Sequence, residues 1–319
     1  VREALESILR TYQGNRETEE FQAFLVYAKK VFFANGVHHH YSMEKFTPSF
    51  TPEYFKSLLR EVGAEQLYEE VERVIFDPKY MAKRVVLDEG KDLVQASANH
   101  YYEGVTQEEV EKFYGEKKKE NALLSWGLNS TLVCDEKGQL QEQVWFAGGK
   151  YGKEIRRIVE YLKKAAEYAC NEHQKEVIEL LIQYYETGDL SLFDRYSIEW
   201  VKEVAAPIDF INGFIDERFK KSEVVGITAR VVQAAMLGGD CHPATPIGIN
   251  LPNAEWIRER YGSKSVTLDN ITYAYDRASL NSGVLDEFAY SDEEKELVRT
   301  YGYIGGNVHT DLHECLGHG

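Results

Sequence analysis

The hexapeptide His313-Glu314-Cys315-Leu316-Gly317-His318 places two histidines around a carboxylate within two turns of chain. On a helix, that arrangement is the device of zinc peptidases: the imidazoles hold the ion, and the glutamate takes a proton from water. The common form spaces its histidines i, i+4, roughly 40° apart at 3.6 residues per turn. Here the spacing is i, i+5, which on a regular helix opens the angle to roughly 140°, too wide for one ion. Either the spacing is accidental or the helix carries an inserted residue as a π-type turn. Gly317 lies within that turn and can relax the backbone. Taken alone, the hexapeptide leaves both readings open.

Working outward, residues 291–302 and 308–318 read as helices. Upstream, Pro246 to Leu251 is a short extended run, Leu237 to Ala244 a Gly/Pro loop, and Val224 to Val232 a β-branched segment that fits a buried strand. Residues 191–216 read as helical, and Gly149 to Glu186 as a helical pair. Ser130–Cys134 and Glu142–Phe146 form strands about the turn signal Asp135-Glu136-Lys137-Gly138. Toward the N-terminus, apolar residues at three- and four-residue spacing mark helices over 2–13 and 18–34, with Phe21, Phe24, Leu25, Ala28 and Phe32 on one face of the second. Helices also fit 51–62, 64–75 and 106–118. Helices with a few strands give an α+β chain, helix-dominant.

The 319 residues are 43% hydrophobic, ample for one large domain or two lobes. A formal net charge of −16 argues against a nucleic-acid backbone or an anionic membrane as partner. The 21 tyrosines can line wet clefts as well as fill cores. The four cysteines, Cys134, Cys170, Cys241 and Cys315, form no C-x-x-C pair, which fits free thiols in a reducing, cytoplasmic setting. No apolar run approaches a membrane span. Residue 1 is Val, and the first helix reads as already under way, so a preceding segment is expected. His38-His39-His40 lies on an extended segment whose neighbours point to opposite faces, which disfavours a three-histidine metal site. Cys241-His242 reads as loop packing rather than a nucleophile and its base, and Glu293-Glu294-Lys295-Glu296 as a solvated helix face.

The hexapeptide with Gly319 resembles the first signature of the dipeptidyl peptidase III family, whose zinc helix carries the inserted residue, and Cys315 is similar to its bacterial branch. The resemblance extends upstream in order. Thr245-Pro246-Ile247-Gly248-Ile249-Asn250-Leu251-Pro252-Asn253 resembles the family's peptide-reading segment. Ala205 to Ile215, which includes Pro207-Ile208-Asp209, resembles its P-I-x-E-x-Y-I-G-F-I segment. Gly36 to Ser42, Tyr101-Tyr102-Glu103-Gly104, Gly148-Gly149-Lys150-Tyr151 and Ala169-Cys170-Asn171-Glu172-His173-Gln174 fit as well.

This resemblance implies a two-lobed zinc exopeptidase that releases dipeptides from the N-termini of short peptides, with a β-barrel core in the lower lobe. Residues 1–217 would be mostly lower lobe, 218–260 strands returning to the core and the peptide-binding edge, and 261–319 the start of the helical catalytic lobe. His313 and His318 would be Zn²⁺ ligands and Glu314 the general base. Asn250 and Asn253 would bind the substrate's N-terminal end, and Gly248 would pair main chain with the peptide. Asp209 aligns near the glutamate of the amine pocket, with a solvated helix carboxylate as the other reading. Three departures stand out. Nothing matches the family's downstream E-E-x-R-A-E/D motif, which supplies the third ligand. Several tens of residues are missing between the G-F-I and P-x-G-I-N segments. Ile211 or Asn212 stands where the family has an active-site tyrosine. The 319 residues therefore read as a large piece of such an enzyme, with a catalytically incomplete peptide-binding lobe as the alternative and an aminopeptidase as a weaker rival.

Overall fold

The computed structural model describes residues 1–39, 42–212, 229–234 and 247–317, with backbone alone for 229–234 and 315–316. His40, the Gly213-Phe214-Ile215 end of one family segment, the first part of the Val224–Val232 run, the Leu237–Ala244 loop with Cys241-His242, Thr245-Pro246 and His318-Gly319 lie outside the described residues. The chain groups into two compact units that divide between Glu111 and Lys112.

The first unit holds α1 (Arg2–Thr11), α2 (Glu19–Phe33), α3 (Pro52–Glu61), a 3₁₀ turn at Glu65–Leu67, α4 (Tyr68–Phe76), α5 (Leu93–Ala96) and the short strand β1 (Tyr102–Glu103). Sequence sets the helix starts. Thr18 and Thr51 sit in extended conformation and accept from Phe21 N and Tyr54 N, and Pro52 occupies a first-turn position where no N–H is needed. The 3.6-residue periodicity then turns Leu5, Ile8, Phe21, Phe24, Phe55, Leu58 and Leu59 into a single buried cluster. Phe50 packs edge-on against Phe24, Tyr27 and Phe76 within it. His38 directs Nε2 to Met81 O at 2.7 Å, and His39 Nδ1 accepts from Ser42 N at 3.2 Å, so both histidines serve this loop's own structure.

Helix α6 (Gln107–Glu120) carries the division between the units. The second unit continues with β2 (Ser130–Cys134), β3 (Leu140–Val144), α7 (Gly152–Glu167), α8 (Glu172–Thr187) and α9 (Leu190–Lys202). The hairpin β2–β3 is antiparallel, with Ser130 opposite Val144 and Cys134 opposite Leu140. Its turn is pinned by Asp135 Oδ1, which accepts from Lys137 N and Gln139 N. Helices α7, α8 and α9 pack consecutively. Asn171 and Asp189 cap α8 and α9, and Gly188 between them takes a left-handed φ of 76° that suits glycine.

Helix α9 stops at Lys202, short of the helix expected through residue 216; residues 203–212 are not helical. Glu203 turns extended, and its carboxylate accepts from Ala205 N at 2.8 Å and Ala206 N at 2.9 Å. Pro207 offers no N–H to a continuing ladder.

Beyond it lie β4 (Ala229–Ala234), β5 (Gly248–Leu251), α10 (Glu255–Tyr261), β6 (Ser263–Leu268), α11 (Asp269–Leu280), α12 (Val284–Phe288) and α13 (Asp292–Leu312), which runs into a π turn at His313–Gly317. The two helices expected over 291–318 are thus one continuous rod. Gly302, Gly305 and Gly306 weaken its interior, but no proline breaks it, and Ser291 caps its start. The strands form a mixed sheet in the order β4-β6-β5, with β4 parallel and β5 antiparallel to β6. Among the described residues, the strands do not close into the expected barrel. All six residues of β6 are buried, as a central strand covered on both faces should be. No described helix is long and apolar enough to cross a membrane.

Candidate active site

Strand alternation builds the site. Asn250 stands opposite Ser265, and Gly248 opposite Thr267. With a period of two, Gly248 and Asn250 share a face, while Lys264 points to the other. The π turn packs against this sheet. On the first face, Glu314 is only 7% exposed. Its carboxylate comes so close to β5 that a Cβ on Gly248 would stand 2.6 Å from Oε1. A larger residue at 248 would force the Glu314 side chain to shift.

The π turn resolves the spacing problem in the hexapeptide. A turn closed i→i+5 brings residues five apart over one another, which the regular helix does not do. His313 is exposed, and a Cβ on Gly317 would meet His313 Nδ1 at 3.7 Å, so the imidazole lies over the glycine. His318 lies outside the described residues. An imidazole is an ordinary zinc donor, and the π turn is the backbone that this spacing requires, so His313 fits one position of a zinc site. Among the described residues, no group of three His, Cys, Asp or Glu side chains could hold a metal.

Asn250 is 8% exposed and engaged inside the fold. Its Nδ2 faces Ser263 Oγ at 3.1 Å, Ser265 Oγ at 2.6 Å and the Glu314 carbonyl at 3.2 Å, while Oδ1 accepts from Arg258 Nη2. Burial pulls the Arg258 pKa below its usual range, against the pull of Glu255. Asn253 is exposed, two residues beyond β5 and just after the cis Leu251-Pro252 peptide. Since β5 pairs only with β6, its other edge has no strand partner among the described residues.

Asp209 is not brought together with Glu314. It meets the opposite face of the sheet, where Lys264 Nζ donates to Asp209 Oδ2 at 2.9 Å and to Glu203 O at 2.6 Å. The ammonium also lies 4.1 Å from the Trp200 ring centroid, and Trp200 Nε1 donates to Asp209 Oδ1. Around this cage, His173 reaches Glu199 at 3.1 Å and Glu203 at 3.2 Å, and Gln174 Nε2 donates to Ile208 O. The Ala169–Gln174 segment therefore helps hold the chain on which Asp209 lies. Asn212, near the position of the family tyrosine, accepts from Tyr185 OH.

Ser263, Lys264, Ser265 and Arg258 were not singled out from sequence. A signal was present: Ser263, Ser265 and Thr267 alternate with Lys264, Val266 and Leu268, the period of a strand, directly after a glycine.

The model of peptidase family M49 matches residues 78–227 and 241–319. The chain belongs to peptidase family M49. It is 24% identical to dipeptidyl peptidase 3 of Rattus norvegicus over 383 residues, which cover 94% of this chain and 50% of that protein. The Homo sapiens dipeptidyl peptidase 3 is also 24% identical, over 380 residues with the same coverage. This M49 chain thus spans about half the length of the curated relatives it matches. Among solved structures, it is similar to DPP III from Caldithrix abyssi, with a TM-score of 0.50 and 17% identity over 94% of this chain and 61% of that one, a likeness of fold.

Proposed function

We propose that this M49 chain carries the zinc helix and the peptide-binding edge of an exopeptidase that releases dipeptides from the N-termini of short peptides. The observation that carries the reading is the π turn at His313–Gly317, which sets the Glu314 carboxylate against edge-strand residue Gly248. His313 and His318 would hold the zinc ion, which when bound supplies a Lewis acid that polarises the scissile carbonyl and acidifies water. Glu314 takes the proton of the attacking water on a carboxylate oxygen. The edge of β5 that has no strand partner among the described residues would offer main-chain N–H and C=O groups to an extended peptide, and backbone pairing explains how such an enzyme reads many sequences. Asn253, exposed just past that edge, would meet the peptide's amino end.

Glu314→Gln tests the assignment in the full-length protein. It keeps the side chain's shape and removes the base. Turnover of a tetrapeptide should fall at least about a hundredfold, while zinc content and peptide affinity stay near wild type. Retained turnover would refute the role of Glu314. Saturable peptide binding with no turnover in the wild type would favour a peptide-binding lobe, and release of single amino acids an aminopeptidase.

A further inference from the structure

Strand β6 alternates its side chains, so Ser263, Ser265 and Thr267 share the face that meets the π turn. Ser265 makes that contact directly: its Oγ donates to Glu314 O at 2.9 Å. Both serines also meet Asn250 Nδ2. Thr267 differs from them. It is 3% exposed, and its Oγ1 has no hydrogen-bond partner. A hydroxyl buried without a partner costs stability, and in a folded protein it calls for a reason. The register shows what lies beside it. Thr267 stands opposite Gly248. Leu268 N donates to Ile247 O at 2.9 Å, so residues 247 and 268 form a hydrogen-bonded pair. The next pair, Gly248 with Thr267, is then the closer kind, in which facing Cβ positions lie roughly 5 Å apart. Glycine brings no side chain to that pair. Glu314 takes the place instead: a Cβ on Gly248 would stand 2.6 Å from Oε1, 2.8 Å from Cγ and 2.9 Å from Cδ. The carboxylate therefore occupies the position of the cross-strand neighbour of Thr267.

We infer that Thr267 is a positioning residue for Glu314: its hydroxyl donates to the carboxylate, directly or through one buried water, and fixes the direction in which the acid faces. The chemistry is complementary. An ionised carboxylate only accepts, and a threonine hydroxyl has one proton to give. A turn about χ1 carries that hydroxyl between staggered positions at small cost. A charged acceptor binds a donor more strongly than a neutral one, so the carboxylate outcompetes the serine oxygens on this face. One carboxylate oxygen is then held from the side of the sheet, and the other is left for the attacking water. The effect on turnover rests on the reading of Glu314 as general base; the contact between hydroxyl and carboxylate does not.

Thr267→Val keeps the shape of the side chain and its strand preference and removes only the hydroxyl; Glu314→Ala removes the acceptor. Urea unfolding of the full-length wild type, the two single variants and the double variant isolates the pair. With Glu314 present, valine should raise the unfolding equilibrium constant by about fivefold or more, the factor expected for one lost hydrogen bond. With alanine at 314, valine should be neutral or stabilising, because it replaces a hydroxyl that has lost its acceptor. Valine stabilising both backgrounds alike would overturn the inference. Turnover reads the same contact. Thr267→Val should lower kcat for a tetrapeptide about tenfold with KM within about twofold, whereas Thr267→Ser, which keeps the hydroxyl, should stay within about threefold of wild type. Equal losses in the valine and serine variants, or no loss in the valine variant of an active enzyme, would overturn it. A raised KM at unchanged kcat would also overturn it, since Thr267 would then be a peptide contact. Thr267→Ala repeats both measurements should the valine variant not fold. If the wild type cleaves no peptide, the base assignment fails, and the unfolding cycle still decides the role of Thr267.

Discussion

Asp194, inside α9, is a carboxylate 8% exposed that stands near the charge of Asp189. Burial first, and Asp189 second, push its pKa from 3.8 up to about 7. The sign of the consequence follows from proton binding. The folded state holds a proton that the unfolded state has released above about pH 4, so this group's penalty on folding grows as pH rises from about 4 to 7 and is complete above it. A shift of that size corresponds to at most about 4 kcal/mol. Urea unfolding should therefore show the wild type losing ground to Asp194→Asn between pH 5 and pH 8 by up to about 3 kcal/mol. Parallel pH profiles for the two proteins would show that Asp194 is ionised in the fold without cost. Nothing in the sequence marks Asp194, because burial of one acid on an amphipathic helix depends on what packs over it.

At the scale of elements, β6 decides the arrangement. Its side chains work on both faces: Ser265 toward the π turn, Lys264 toward Asp209 and Trp200. The Lys264 side chain is 2% exposed and the Asp209 side chain 37% exposed, which makes the pair asymmetric. Removing the acid takes the counter-charge from a buried ammonium; removing the ammonium leaves an acid that still accepts from Trp200 Nε1 and reaches water. Asp209→Ala should thus cost about 3 kcal/mol or more, and Lys264→Met clearly less, as read from urea midpoints at constant m-value. The reverse order would mean that the cage does not hold Lys264 as a charge. Elements with strong local signals were legible: the capped, periodic helices α2, α3 and α8 and the hairpin strand Ser130–Cys134 fall where spacing and turn residues put them. β6 was not, because Ser263, Lys264, Ser265 and Thr267 make a polar strand whose burial is settled only by its neighbours. The end of α9 was missed for a similar reason: Glu203 caps the following segment from its side chain, which a propensity window does not register.

At the scale of the whole molecule, the hexapeptide took its meaning from the rest of the chain. Spacing alone left His313 and His318 ambiguous. The π turn and the glycine cleared for Glu314 favour the zinc-helix reading proposed above, in a chain that belongs to family M49. Strand β5 was legible because Gly248 lies in an extended run, whereas the burial of Asn250 was not, since an asparagine in a strand can face a ligand or its own sheet. The central claim, dipeptide release by metal-assisted hydrolysis, concerns the protein of which this chain spans about half the length of the curated relatives. Its most direct test is product analysis: the full-length protein is incubated with a tetrapeptide bearing a free N-terminus, with and without a zinc chelator, and the fragments are weighed by mass spectrometry. The account predicts two dipeptides that disappear with chelator and return on adding zinc. Single amino acids, or cleavage indifferent to the chelator, would contradict it.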